Sequence, residues 1–354
     1  MPVYKNEDKG TWYCSFYYTD WQGNRKKKKK EGFKLQREAK EYEKNFIEQY
    51  SGSCDMLFKN FVDIYLKDCK TRLKPTTYLI KESVINDKII PYFNDIPLNS
   101  ITPANIRQWQ NTLMNSDKQY SPTYLKGLNS QLSAIFNFAV KYYNLSANPA
   151  RLCGGMGQRN AESMQFWTLE EFNQFIKSID DITVKTMFQL LFWTGIRSGE
   201  MLALTLNDFN FDEMTLSINK NYARVNKTDI TLTPKTTKGK RVITIMPFIK
   251  TMIDDYIGQQ YDYAPSERLF PVTKDFLTRS LIRGCKKSGV KKIRVHDLRH
   301  SHASMLIELG YSPLLISERL GHENIETTLK TYSHLYPNKQ KDLAEQLETI
   351  YLQC

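Results

Sequence analysis

No stretch of the 354-residue chain approaches the run of roughly 20 apolar residues that a membrane helix needs. The opening MPVYKNEDKG likewise lacks the apolar core of a signal peptide, so a cytoplasmic protein without a membrane partner is expected. Cysteine is sparse. Six residues, at 14, 54, 69, 153, 285 and 354, are scattered with no CxxC pair, which argues against a disulfide framework and against a zinc ribbon. The glycine cluster around 154–157 is not followed by Gly-Lys-Ser/Thr, so no ATP-binding loop is expected. Histidine is rarer still, with five residues all between 296 and 334. Acidic residues fall short of basic ones, 38 Asp and Glu against 50 Lys and Arg, and the net charge of +12 points to a polyanionic partner. The excess lies upstream: residues 1–53 hold 12 basic against 8 acidic residues, 54–160 hold 13 against 7, and 161–354 hold 25 against 23.

What is present is globular, 41% hydrophobic and 25% charged, and long enough for two or three domains at roughly 150 residues each. In residues 1–53, TWYCSFYYTD alternates aromatic and small positions, WQGN supplies a turn and RKKKKKEGF returns, which predicts a small sheet. Leu35, Ala39, Tyr42, Phe46 and Tyr50 follow at helical spacing and predict a helix laid on that sheet. Six cations, Arg25, Lys26, Lys27, Lys28, Lys29 and Lys30, run together. They read either as a solvated strand edge guarded against aggregation or as contacts to the phosphates of a duplex, and the neighbouring aromatics favour the second.

Residues 51–53 read as a linker, and 54–150 as a helical bundle with Thr102 before Pro103 and Ser121 before Pro122 as caps. The helix after Ser121 should bury Leu125, Leu128, Leu132, Ile135, Phe136, Phe138 and Ala139 and end at Asn148 and Pro149. Residues 151–164 read as a hinge-like second linker. A capping box from Thr168 to Glu171 then opens a domain at 165–354, with strands near 213–219, 228–234 and 241–246 among helices. The expected class is a multidomain α+β protein whose C-terminal domain mixes helix and sheet.

Four short stretches of that domain carry reactive side chains. TGIRSGEML ends an apolar helix at Gly195 and presents Arg197 with Glu200 three residues on, which alone reads as a local salt bridge. LTPKTTKGKRVITI offers Lys235, Lys238, Lys240 and Arg241 around Gly239, by default a solvent-facing basic hairpin. HDLRHSHAS sets His296, Arg299 and His300 on one helical face. A metal at His296 and His300 would lack a third ligand and have an arginine between its ligands, so none is expected. In SPLLISERLGHENIETTLKTYSHL, Ser312 caps a helix that Gly321 ends, His322 follows the turn, and Tyr332 comes ten residues later. This stretch also reads as a helix-turn-helix.

In this order the four stretches resemble the tyrosine recombinases of the phage-integrase type. The pattern of that family is an Arg in TGxRxxE, a Lys in a strand turn, HxxR, a His after Leu-Gly and a Tyr nucleophile, and it falls on Arg197, Lys235, His296, Arg299, His322 and Tyr332. The PKT context favours Lys235 over Lys238. The resemblance implies a recombinase that cuts and rejoins DNA through a 3′-phosphotyrosyl link, integrating and excising a phage or conjugative element without metal or cofactor. Arg197 and Arg299 suit the developing charge of a phosphate, and the resemblance assigns His322 to the same phosphate. His296 is the expected base for a phenol of pKa about 10, and Lys235 the acid for the leaving 5′ oxygen.

Upstream, the resemblance implies a three-stranded arm-site-binding sheet at 1–53 and a core-site-binding bundle at 54–150. It also implies a homotetramer on double-stranded core and arm sites, an excisionase, a DNA-bending host factor, and a place on the nucleoid of a bacterial host. Two other readings stay open: a transcriptional regulator with a C-terminal helix-turn-helix, and a type IB topoisomerase. Beyond Tyr332, the apolar positions Leu343, Ala344, Leu347, Ile350 and Tyr351 predict a tail helix, buried on its own domain or docked on a neighbouring subunit.

Overall fold

The computed structural model describes residues 3–7, 10–19, 25–50, 55–158, 165–234, 237–332, 347, 350 and 351. The chain divides into two compact units, Met1–Ala161 and Glu162–Cys354. The first begins with β1 (Val3–Asn6), β2 (Thr11–Thr19) and β3 (Arg25–Phe33), an antiparallel sheet in that order. Cys14 and Phe16 of β2 are buried beneath α1 (Gln36–Tyr50), where the rings of Phe16 and Phe46 lie 5.4 Å apart and Ala39 is fully enclosed. Leu35, expected on the apolar face of α1, instead precedes the helix and is exposed; its N–H donates to Glu38 Oε2 at 3.2 Å, in the turn that opens the helix.

Strand alternation splits the cation run in two. Arg25, Lys27 and Lys29 stand opposite Thr19, Tyr17 and Ser15 on the open face of the sheet, whereas Lys26, Lys28 and Lys30 stand opposite Tyr18, Phe16 and Cys14 on the helix side. On the open face Arg25 lies 4.5 Å over the Tyr17 ring and Lys29 lies 4.8 Å over Tyr13.

Helices α2 (Phe58–Arg72), α3 (Pro75–Lys88), α4 (Ile90–Phe93), α5 (Pro103–Met114), α6 (Pro122–Tyr142) and α7 (Pro149–Cys153) enclose Phe58, Phe61, Phe93, Trp109, Leu132 and Phe136. The Thr102 and Ser121 side chains accept from Asn105 and Tyr124 N–H and start α5 and α6 as expected. The end of α6 comes earlier than expected, at Tyr142. Asn148 instead caps α7 by accepting from Ala150 and Arg151 N–H, because an Asn-Pro pair starts a helix as readily as it stops one. The glycine stretch read as a linker is packed on the bundle in its first half: Arg107 donates to Cys153 O at 2.5 Å, Gln110 to Gly154 O at 2.9 Å, and Met156 is buried.

The second unit runs α8 (Leu169–Lys177), α9 (Ile182–Thr194), α10 (Ser198–Met201), β4 (Phe209–Asn210), β5 (Thr215–Ile218), β6 (Asn221–Val225), β7 (Thr228–Leu232) and β8 (Arg241–Thr244). It continues with α11 (Pro247–Ile257), α12 (Lys274–Ser288), α13 (Asp297–Glu308), α14 (Pro313–Leu320) and α15 (Ile325–Tyr332). Helix α9 carries buried apolar side chains around most of its circumference, which places it at the centre of the core, with Phe172 stacked on Phe192 and Phe175 edge-on to Phe188. The strands depart from the expected basic hairpin. β7 pairs with β6 across a turn at Asn226 and Lys227, both with left-handed φ, while β8 pairs with β5, which in turn pairs with β4. Strand β6 was not anticipated. In the tail, Leu347, Ile350 and Tyr351 are helical and exposed, against burial on the parent domain; Leu343 and Ala344 lie outside the described residues. Among the described residues, no helix is long and apolar enough to cross a membrane.

Candidate active site

Helix α9 stops at Gly195, which takes the left-handed conformation (φ +66°) and lies so close to His302 that a Cβ would fall 2.5 Å from the ring. The chain then turns through buried Ile196 to Arg197, at the start of α10. Glu200, one turn on, is enclosed and accepts from Arg197 twice, from its N–H at 2.9 Å and from Nη1 at 2.7 Å. Arg241 at the head of β8 reaches the same carboxylate at 3.0 and 3.3 Å. Burial alone would raise the Glu200 carboxyl, but Arg241, with Arg197, outweighs it and holds the group ionised below the usual range.

Arg299 projects from the first turn of α13 into the core and donates to Gly195 O at 2.9 Å and Leu320 O at 2.6 Å. Burial, then the like charge of Arg197, pulls its guanidinium down to about 9, so it stays cationic at neutral pH. Arg197, more than a third of whose side chain remains exposed, spends its Nη2 on Gly321 O at 3.3 Å. His296, at the N-cap of α13, keeps an exposed face; partial burial and the cations of Arg299 and Arg197 lower its imidazole pKa. His322 follows Gly321 and bonds through Nδ1 to Thr328 Oγ1 at 2.7 Å, with burial and then Arg299 pushing it down to about 3.

Tyr332 ends α15 and is 1% exposed, packed with Ala303, Ile307, Ile316 and Leu320. Its hydroxyl meets His300 Nδ1 at 2.6 Å. Burial, and next the neighbouring His296, drops His300 to about 4, which favours a neutral ring beside the phenol. Burial raises the phenol to about 12 against the pull of Arg299. The His296 and His300 rings stand 5.2 Å apart, and those of His300 and Tyr332 5.6 Å apart.

Five of the six residues singled out in the sequence thus converge: Arg197, His296, Arg299, His322 and Tyr332. Lys235 lies outside the described residues. Lys238, in the next turn, is exposed, and its carbonyl lies against Gly321. Glu200 makes the expected local salt bridge with Arg197 and pairs with Arg241 as well. Three contributors were not recognised: Arg241, Thr328, and His300 as the partner of Tyr332. A signal for Arg241 existed, since alternation along β8 puts it on the inward side with Ile243 and Ile245 while Val242 is exposed.

Residues 162–339 match the phage integrase family, 57–114 its N-terminal SAM-like domain, and 2–50 an arm DNA-binding domain. The chain belongs to the phage integrase family. It is 32% identical over 334 residues to the ICEBs1 integrase of Bacillus subtilis, covering 90% of this chain and 88% of that one. A prophage phiRv2 integrase of Mycobacterium tuberculosis is 26% identical, covering 83% and 78%. Among solved structures, the Tn1549 transposon integrase bound to a circular intermediate DNA shares the fold at a TM-score of 0.69 and 19% identity, covering 82% of this chain and 99% of that one. A lambda integrase dimer on a COC′ core site does so at 0.61 and 18%, covering 96% and 95%. The protein is a tyrosine site-specific recombinase that acts on DNA. The regulator and type IB topoisomerase readings leave the match of all three segments unaccounted for.

Proposed function

We propose that this integrase integrates and excises a phage or conjugative element by metal-independent transesterification, with Tyr332 as nucleophile and Arg197, Arg299 and His322 on the scissile phosphate. The supporting observation is that Arg197 and Arg299 hold the adjacent carbonyls of Gly321 and Leu320, immediately before His322. Two forked cations and an imidazole are thereby gathered at one turn, as a dianionic transition state demands. Tyr332 Oη attacks phosphorus, the bond to the 5′ oxygen breaks, and a 3′-phosphotyrosyl link forms. The phenol proton passes to His296, whose exposed ring at the head of α13 stands beside His300, the partner of the phenol in its buried position. The 5′ oxygen leaves as a hydroxyl with a proton from Lys235. A 5′ hydroxyl of a partner duplex reverses the steps, so bond energy is retained and the exchange runs in a tetramer.

The test is strand exchange between two labelled attachment-site duplexes in the presence of a chelator. Recombinant strands are the expected product. Relaxed plasmid without exchange would favour a topoisomerase, and loss restored by added zinc would revive a metal role for the histidines.

In this reading residues 1–53 bind arm sites, 54–150 and 165–354 clamp the core site, and an excisionase and a DNA-bending host factor set direction on the nucleoid of the bacterial cytoplasm. Deleting 1–53 spares cleavage of a short core site and abolishes arm-dependent recombination. The strand register divides the cation run between the two faces of the sheet. Neutralising Arg25, Lys27 and Lys29 is expected to lower the salt slope of arm binding by about 0.9 for each DNA phosphate that is no longer neutralised, whereas neutralising Lys26, Lys28 and Lys30 should change it less. Equal slopes for both triple variants, or no change in either, would refute binding through the open face.

A further inference from the structure

Three arginines meet at the C-terminal end of α14, and each takes one of three successive carbonyls: Arg241 that of Arg319 at 2.8 Å, Arg299 that of Leu320 at 2.6 Å, and Arg197 that of Gly321 at 3.3 Å. The last turn of a helix leaves such carbonyls without intrahelical partners and at the negative end of its dipole. It can therefore hold like charges together that would otherwise repel. Arg197 and Arg299 are accounted for by the proposed mechanism. Arg241 is not, and its side chain is only 7% exposed, too enclosed to meet DNA.

We propose that Arg241 is a positioning residue of the recombination reaction, fixing Arg197 through their shared Glu200 carboxylate and locking that pair to the turn that carries His322. This rests on the reading that Arg197 and His322 serve the scissile phosphate. The guanidinium of Arg241 satisfies both oxygens of Glu200 on one side and Arg319 O and Gly239 O on the other, so it bridges α10, the 237–239 turn and the end of α14. Gly321 leaves no slack in that bridge: with φ at +68°, a Cβ there would fall 2.9 Å from both Arg241 Nη1 and Lys238 O.

The charge count gives the bridge its purpose. One buried carboxylate faces two guanidinium groups, so Arg241 takes part of its field and Arg197 keeps net positive charge for the phosphate. Without Arg241, Glu200 and Arg197 form a neutral pair, and Arg197 is drawn toward its carboxylate.

Arg241→Met and Arg241→Lys in the full chain separate this role from a purely structural one. Covalent adduct formation is measured on a nicked core site with an ordinary scissile phosphate, and on one where a methyl group replaces a non-bridging oxygen and removes its charge. Arg241→Met is expected to bind core DNA normally and to cleave the ordinary phosphate about a hundredfold more slowly, as for loss of an electrostatic donor. On the neutral substrate its deficit should shrink along with that of Arg197→Ala, and the double variant should be no slower than Arg197→Ala alone. Arg241→Lys, which restores charge without the fork, should recover part of the rate. If Arg241→Met does not fold, Arg241→Lys carries the test, with a smaller deficit confined to the charged substrate.

A wild-type rate, an equal deficit on both substrates, or a double variant slowed by the product of the two single effects would overturn the proposal. If Arg197→Ala itself cleaves the ordinary phosphate normally, the reading of the phosphate site has failed instead.

Discussion

Tyr332→Phe is expected to bind core-site DNA with unchanged affinity and to form no covalent adduct. The substitution removes one atom, and in the proposed mechanism that oxygen becomes the bridge to the 3′ phosphate. Nicked core-site DNA makes the result unambiguous, because the short 5′ fragment diffuses away after cleavage and traps a denaturant-resistant adduct. A persisting adduct would move the nucleophile to another tyrosine. The surroundings of Tyr332 add a second expected result. His300 Nδ1 loses its part-buried hydrogen-bond partner, and a lost hydrogen bond costs about 0.5–1.5 kcal/mol. The variant should therefore melt earlier while still binding. Tyr332 is only 1% exposed, so the proposed attack requires α15 to leave the pocket of Ala303, Ile307, Ile316 and Leu320 first. Loosening that pocket, as with Ile316→Val, should change the cleavage rate while leaving binding intact.

What was legible in the sequence was local chemistry. Thr168, Ser312, Gly195 and Gly321 mark helix ends through hydrogen bonds within four residues or through a left-handed backbone, and the structure places each at the expected helix end. The order of the Arg, HxxR, Gly-His and Tyr stretches was legible for the same reason. What escaped depended on partners far along the chain. Arg241 read as one of several surface cations because its carboxylate lies 41 residues upstream and its strand pairs with β5 instead of β7. His300 was visible beside His296, but its phenol is 32 residues away. The cation run concealed a period of two, since a stretch of one charge sign shows no alternation until it becomes a strand.

Lys235→Ala and Arg197→Ala should fail at different steps, and a single atom in the substrate tells them apart. With the natural 5′ oxygen, loss of a general acid slows cleavage by about 10²–10⁴-fold, and loss of an electrostatic donor by about 10²–10³-fold. The two rates alone do not separate the roles. A bridging 5′ sulfur does. A thiol has a pKa of about 8.5, so the departing group needs little proton help, whereas an oxygen of water-like basicity, at about 15.7, must be protonated as it leaves. Arg197 answers a different demand, the charge on the non-bridging oxygens, which sulfur in the bridge does not relieve. Lys235→Ala is therefore expected to recover most of its rate on the sulfur substrate while Arg197→Ala stays slow. Lys238→Ala is the control, because that lysine occupies the exposed turn whose carbonyl abuts Gly321. Sulfur rescue of Lys238→Ala alone would transfer the acid to that turn. Equal rescue of Lys235→Ala and Arg197→Ala would mean that both act on the leaving group, and the division between a proton donor and a phosphate clamp would fall.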